Sequence, residues 1–96
     1  MALHTLVRVA AIEGGPRGVR ANVVAPGWRE PLPARLDPEL AVDDTPGGRL
    51  ATTADVASAV AWLLSDDAAH VSGEVIRVDG GYTITRGSRS DPEMAT

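Results

Sequence analysis

Lysine, cysteine and phenylalanine are absent from this 96-residue chain, and aromatic residues make up only 3% of it. The missing cysteine excludes disulfides and thiolate metal sites. Without lysine there is no Schiff-base nucleophile and no lysine proton relay, since all nine cationic side chains are arginine. A net charge of -4 and a pI near 4.9 exclude the basic face that nucleic acid demands. No apolar run is long enough to span a bilayer, and Met1–Thr5 lacks the regions of a signal peptide, so a cytoplasmic location is expected. What remains is one small domain, hydrophobic at 44%, with a core of Leu, Val, Ile and Ala supplemented by Trp28 and Trp62. Such a core suits helices packed closely on a sheet but offers a short chain little apolar area.

Periodicity predicts a helix over 2–13. Leu3, Leu6, Val7, Ala10 and Ala11 mark one stripe, and Val9 and Ile12 widen it. That breadth fits either a helix packed on two sides or one generous core face. Gly14, Gly15 and Pro16 stop it. Val19–Ala25 follows as a strand whose Val/Ala run suits a parallel sheet covered on both faces. From 28 to 49 the pattern dissolves among Pro31, Pro33, Pro38 and Pro46. A connection this long is either disordered or a functional lid, with a helical turn possible over 37–42. Thr52–Asp55 marks the next helix start, by a hydroxyl cap and a first-turn acid, with Val56, Val60, Leu63 and Leu64 as its stripe. Glu74–Val78 is a second strand, closed by Asp79-Gly80-Gly81, and the residues from Arg86 onward read as a flexible tail. The order helix, strand, long connection, helix, strand predicts parallel strands joined by a right-handed crossover.

These residues resemble a known family. Ala10-Ala11-Ile12-Glu13 and Gly18–Gly27, ending Asn22-x-x-x-Pro26-Gly27, are similar to the segment that follows the Tyr-x-x-x-Lys pair of short-chain dehydrogenases/reductases. Gly48-Arg49-Leu50-Ala51, the segment Ala57-x-x-Val60-x-Trp62-Leu63-Leu64-Ser65-Asp66, and Val71-Ser72-Gly73-Glu74 through Val78-Asp79-Gly80-Gly81 continue the match in order. The resemblance implies an α/β fold, the C-terminal part of a doubly wound Rossmann-type parallel sheet, over residues 1–85. It implies an NAD(P)-dependent oxidoreductase acting on a carbonyl or alcohol.

By the same resemblance Pro26, Gly27 and Trp28 lie beside the nicotinamide, with Gly27 letting the main chain approach the flat ring. Trp28, Arg29 and Leu32 belong to the substrate lid. The helix over 2–13 and the last strand are expected to form a homo-oligomer. Nothing matches the family's phosphate-binding glycine loop, and Met1 stands just past the expected lysine. No catalytic residue is therefore assigned, and cofactor binding by this chain alone is not expected. The alternative is a non-catalytic fragment that oligomerises or complements another chain through an open strand edge.

Other residues are read structurally. Tyr82, with Arg86 four residues on, echoes the catalytic motif but follows the last strand, and packing at a subunit contact is expected instead. His4 and His70 have no orienting carboxylate. The Asp43-Asp44 and Asp66-Asp67 doublets read as solvated loop charges rather than metal ligands. Arg49 and Asp79 are expected to anchor loops. Trp28 either lines a cleft or covers a core short of aromatics.

Overall fold

The computed structural model describes residues 2–85; the tail expected from Arg86 onward lies outside the described residues. The order is α1 (Ala2–Gly14), a 3-10 turn at Gly15–Arg17, β1 (Val23–Pro26), α2 (Pro38–Asp43), α3 (Thr53–Leu64), a 3-10 turn at Asp66–Ala68, β2 (Val75–Val78) and a 3-10 turn at Tyr82–Thr85. The two strands pair in parallel, with Val23 opposite Val75 and Pro26 opposite Val78, as the βαβ reading requires. This is α/β architecture consistent with part of a Rossmann-type sheet.

Both strands are shorter than their apolar runs, and β1 begins four residues later than expected. Over 20–22 side chains supplement a single main-chain bond, from the Gly73 amide to the Ala21 carbonyl at 2.7 Å. Asn22 donates from Nδ2 to the Val71 carbonyl at 2.9 Å, and its Oδ1 accepts from the Glu74 amide at 3.1 Å. The Arg20 guanidinium reaches the same Val71 carbonyl, and Ser72 Oγ accepts from the Ala21 amide. Asn22 thus sets the register of the parallel pair from its amino end.

α3 starts where its cap predicts. Thr52 Oγ1 accepts from the Asp55 amide at 3.1 Å and Asp55 Oδ2 accepts from the Thr52 amide at 2.8 Å, a reciprocal box that satisfies two otherwise orphaned donors. Arg49 clamps the same carboxylate with two nitrogens, at 2.7 and 3.1 Å. That bidentate pairing, together with the Thr52 bonds, holds the Asp55 carboxyl well below the usual carboxylate range. The expected anchoring role of Arg49 is what the structure shows.

The core departs from the expected stripes. On α1 only Val7 is buried, while Leu3, Leu6 and Ile12 stand 49%, 64% and 75% exposed. Contact with the rest of the chain runs along the flank that carries Val7 and Ala11; the Ala11 methyl lies 3.5 Å from where a side chain on Gly73 would begin. On α3, Leu63 is buried, whereas Val60 and Leu64 are exposed. Both helices therefore carry apolar residues that this chain does not cover.

The connection supplies much of the remaining core. Leu36, Ala41, Asp44 and Thr45 are buried there. α2 forms because Asp37 caps it, its Oδ1 accepting from the Glu39 amide at 2.9 Å, with Pro38 in the first turn where its missing amide is harmless. Asp43 is exposed, as expected, but Asp44 is buried, which corrects the solvated-doublet reading at that position. Thr45 Oγ1 donates to the Ala41 carbonyl at 2.7 Å.

Candidate functional site

The carboxyl ends of the two parallel strands converge at Gly27 and Asp79. The Gly27 amide continues the ladder by donating to the Val78 carbonyl at 3.0 Å. Asp79 then crosses so close that a Cβ on Gly27 would lie 2.8 Å from both its Cα and its Cβ. Within this chain the approach of Asp79 already requires glycine at 27, a structural reason that spacing did not reveal.

Asp79 organises the turn beyond β2. Its Oδ1 accepts from the Gly81 amide and its Oδ2 from the Thr83 amide, both at 3.0 Å, while its carbonyl accepts from the Tyr82 amide. Partial burial pushes this carboxyl up, but the Thr83 and Gly81 hydrogen bonds and the nearby Arg77 charge outweigh it and hold the group below its ordinary value. Because folding lowers the pKa, this contribution is complete above the unfolded aspartate value of about 3.9 and disappears as pH falls through the depressed folded value. Asp79→Asn is therefore expected to destabilise the chain at pH 7, with a deficit that shrinks once pH falls below the unfolded aspartate value, for example at about pH 3. Urea melts at the two pH values measure this; an equal deficit at both would show that the carboxylate charge is irrelevant.

Beyond Gly27 the chain doubles back on itself. Trp28 accepts through its carbonyl from the Ala51 amide at 2.8 Å, and Arg29 pairs with Ala51 in a parallel bridge. The connection is thus closed at its base, directly above the strand ends. A hollow of about 270 Å³ opens there, lined by Gly27, Trp28, Arg29, Glu30, Pro31 and Pro33. Pro26 and Arg29 border a second hollow of about 230 Å³ against Val56 and Ala57 of α3. The structure brings Pro26, Gly27, Trp28 and Arg29 together; Leu32 is half-buried but does not line either space. Each hollow is smaller than the roughly 300–1,000 Å³ of a complete small-molecule site. Each has the size of part of such a site.

Trp28 is half-buried, covering Tyr82 on one side and lining the first hollow on the other. Its ring meets Tyr82 edge to face at 6.1 Å and 80°. Its Nε1 is buried without a hydrogen-bond partner among the described residues. Tyr82 is wholly buried inside this chain, which corrects the expectation that it packs at a subunit contact. Burial also removes its hydroxyl from any role in proton transfer at this edge. His4 is half-buried on α1 and His70 is exposed. Among the described residues no three His, Asp or Glu side chains gather to hold a metal ion, and no helix is long and apolar enough to cross a membrane. The residues that sequence reasoning missed are Leu36, Ala41 and Thr45, whose only signal was the Asp37-Pro38 helix start.

A family model described as Enoyl-(Acyl carrier protein) reductase matches residues 1–83. The chain is 42% identical over 89 residues to a galactitol 2-dehydrogenase (L-tagatose-forming) of Cereibacter sphaeroides, covering 86% of this chain and 35% of that protein. It is 43% identical over 83 residues to a cis-4-hydroxycyclohexanecarboxylate dehydrogenase of Sinomonas cyclohexanicum, covering 81% and 33%. Against a cyclohexanol dehydrogenase of Acinetobacter sp. (strain SE19) the identity is 44% over 79 residues, covering 81% and 32%. The chain spans about a third of the length of these curated relatives.

Proposed function

The chain belongs to the short-chain dehydrogenase/reductase family, and from that premise we propose that it forms the nicotinamide-side wall and substrate lid of a cytoplasmic NAD(P)-dependent oxidoreductase acting on an alcohol or its carbonyl. The observation that carries this reading is the position of Pro26-Gly27-Trp28. They stand at the carboxyl edge of a parallel pair, where open α/β sheets bind their ligands, and they border a hollow. Pro26, Gly27 and Trp28 would lie against the nicotinamide, with Trp28, Arg29 and Leu32 of the connection over the substrate. When bound, the cofactor supplies hydride transfer. This chain's residues orient the ring and exclude water; none of them moves the proton. The chain has no lysine, and its one tyrosine is buried against Trp28. Residues 1–96 alone are therefore read as inactive.

The test is a graft in which residues 3–81 replace the matching third of the Acinetobacter cyclohexanol dehydrogenase. The graft is expected to oxidise cyclohexanol with NAD(P), and Trp28→Ala within it to lower kcat/KM by about tenfold or more through lost positioning. A well-folded graft that binds no NAD(P) would sink the proposal. Residues 1–96 alone should show no micromolar NADH binding by fluorescence titration, and clear binding would overturn their proposed incompetence.

A second reading has its own support. β1 has one hydrogen-bonded neighbour among the described residues, and α1 exposes Leu6 and Ile12. A non-catalytic fragment that oligomerises or complements another chain would use those two surfaces.

A further inference from the structure

The turn after β2 and the connection between β1 and α3 interlock at four places. The Gly47 amide donates to the Gly80 carbonyl at 2.8 Å, and Thr85 Oγ1 donates to the Asp44 carbonyl at 3.2 Å. Gly80 lies against Thr45, whose Cγ2 would be 2.8 Å from a Cβ there, and Gly81 lies against the Pro46 ring. Both glycines have positive φ, 61° and 93°, which lets the main chain turn back toward the connection. Tyr82, carried by this turn, is the largest fully buried side chain among the described residues and meets Trp28 at the base of the connection.

A connection with four prolines and an acidic surface has little apolar area of its own. Apart from α2 and the Arg29–Ala51 bridge at its base it has no regular pairing to hold it, and its few buried residues offer little apolar area to order it. Tyr82 brings one large apolar surface from outside the segment, and Asp79 fixes that turn through two amide hydrogen bonds.

We propose that residues 79–85 form a latch that holds the connection folded over the strand ends in the absence of any ligand, with Tyr82 as its central element. That the held segment is a substrate lid rests on the function proposed above; the latch does not. The site would then be preformed, binding without an ordering step at the lid, and side chains far from the hollow would govern access to it. Trp28 Nε1, buried and unpaired, is the group whose surroundings change when the latch opens.

The test uses the full 96-residue chain without cofactor, with Trp62→Phe leaving Trp28 as the sole tryptophan. Amide hydrogen exchange should find Ala41, Asp44, Thr45 and Gly47 protected to a degree comparable with Val23 and Gly27 in the sheet. Tyr82→Ala should accelerate the first group by on the order of tenfold or more while leaving the second unchanged, and should shift Trp28 emission to longer wavelength. Connection amides exchanging at free-peptide rates in the unmodified chain would overturn the latch. So would a Tyr82→Ala effect that is nil. If Tyr82→Ala unfolds the whole chain, Thr85→Val decides: faster exchange confined to 44–47 supports the latch, and uniform or absent change overturns it. Because these readouts involve neither cofactor nor alcohol, a protected connection in a protein that oxidises nothing would sink the function and leave the latch standing.

Discussion

Gly27→Ala is expected to destabilise the chain by about 2–3 kcal/mol, the upper part of the range for forcing a methyl into a filled space. The added Cβ would stand 2.8 Å from Asp79 Cα and Cβ and 3.4 Å from its carbonyl oxygen. These are mostly main-chain or stem atoms, so no flexible side-chain end can swing aside. Gly27 itself is held by its bond to Val78, one residue past the paired Pro26. Relief requires parting the strand ends, which would also disturb the Asp79 bonds to Gly81 and Thr83. The chain has little reserve: six apolar residues form its buried core among the described residues, and even ordinary domains are stable by only about 5–15 kcal/mol. Urea unfolding followed by circular dichroism measures the effect. Gly15→Ala is the control, because nothing lies within 4 Å of that position. It should be neutral or slightly stabilising through the unfolded chain. Equal midpoints for the two variants would refute the close approach at Gly27.

The regular elements were largely legible because their causes are local. Thr52 and Asp55 lie three residues apart and cap α3 by themselves; Asp37-Pro38 does the same for α2. The parallel pairing followed from the intervening helix. The strand ends were less legible, because Asn22 and Ser72 supplement the ladder there, and those bonds join residues about fifty positions apart. The core of the connection was illegible for the same reason. Leu36 and Ala41 are isolated apolar residues among prolines, and the aromatic on the far side of that region, Tyr82, comes four decades of numbering later. The candidate site shows both limits at once. Pro26-Gly27-Trp28 does stand at the end of β1, yet the steric reason for Gly27 lay in Asp79. The apolar arc of α1 was legible, but which of its residues this chain leaves uncovered depended on a contact with Gly73.

Those uncovered residues carry the other large expected effect. If the chain associates through α1, as proposed, Leu6→Glu combined with Ile12→Glu should abolish association and leave a monomer. The two side chains are 64% and 75% exposed and have Leu3 and Val9 beside them, themselves about half exposed. Neighbouring exposed apolar side chains of this kind are what an association surface offers. Placing two carboxylates in it would leave unpaired charges inside any interface formed there, a penalty of several kcal/mol that weakens association by more than about a hundredfold. Glutamate is a good helix former, and both positions are exposed in this chain, so the fold should survive with unchanged circular dichroism. Sedimentation velocity across a concentration series gives the readout. Leu64→Glu on α3, where the native side chain is 78% exposed, separates the surfaces. If it dissociates the assembly while the α1 variant does not, the interface lies on the sheet-and-α3 side. An unmodified chain that stays monomeric at about 100 μM, a concentration at which even a weak interface of roughly 8 kcal/mol would be occupied, would leave α1 without a self-partner and favour complementation by a different chain.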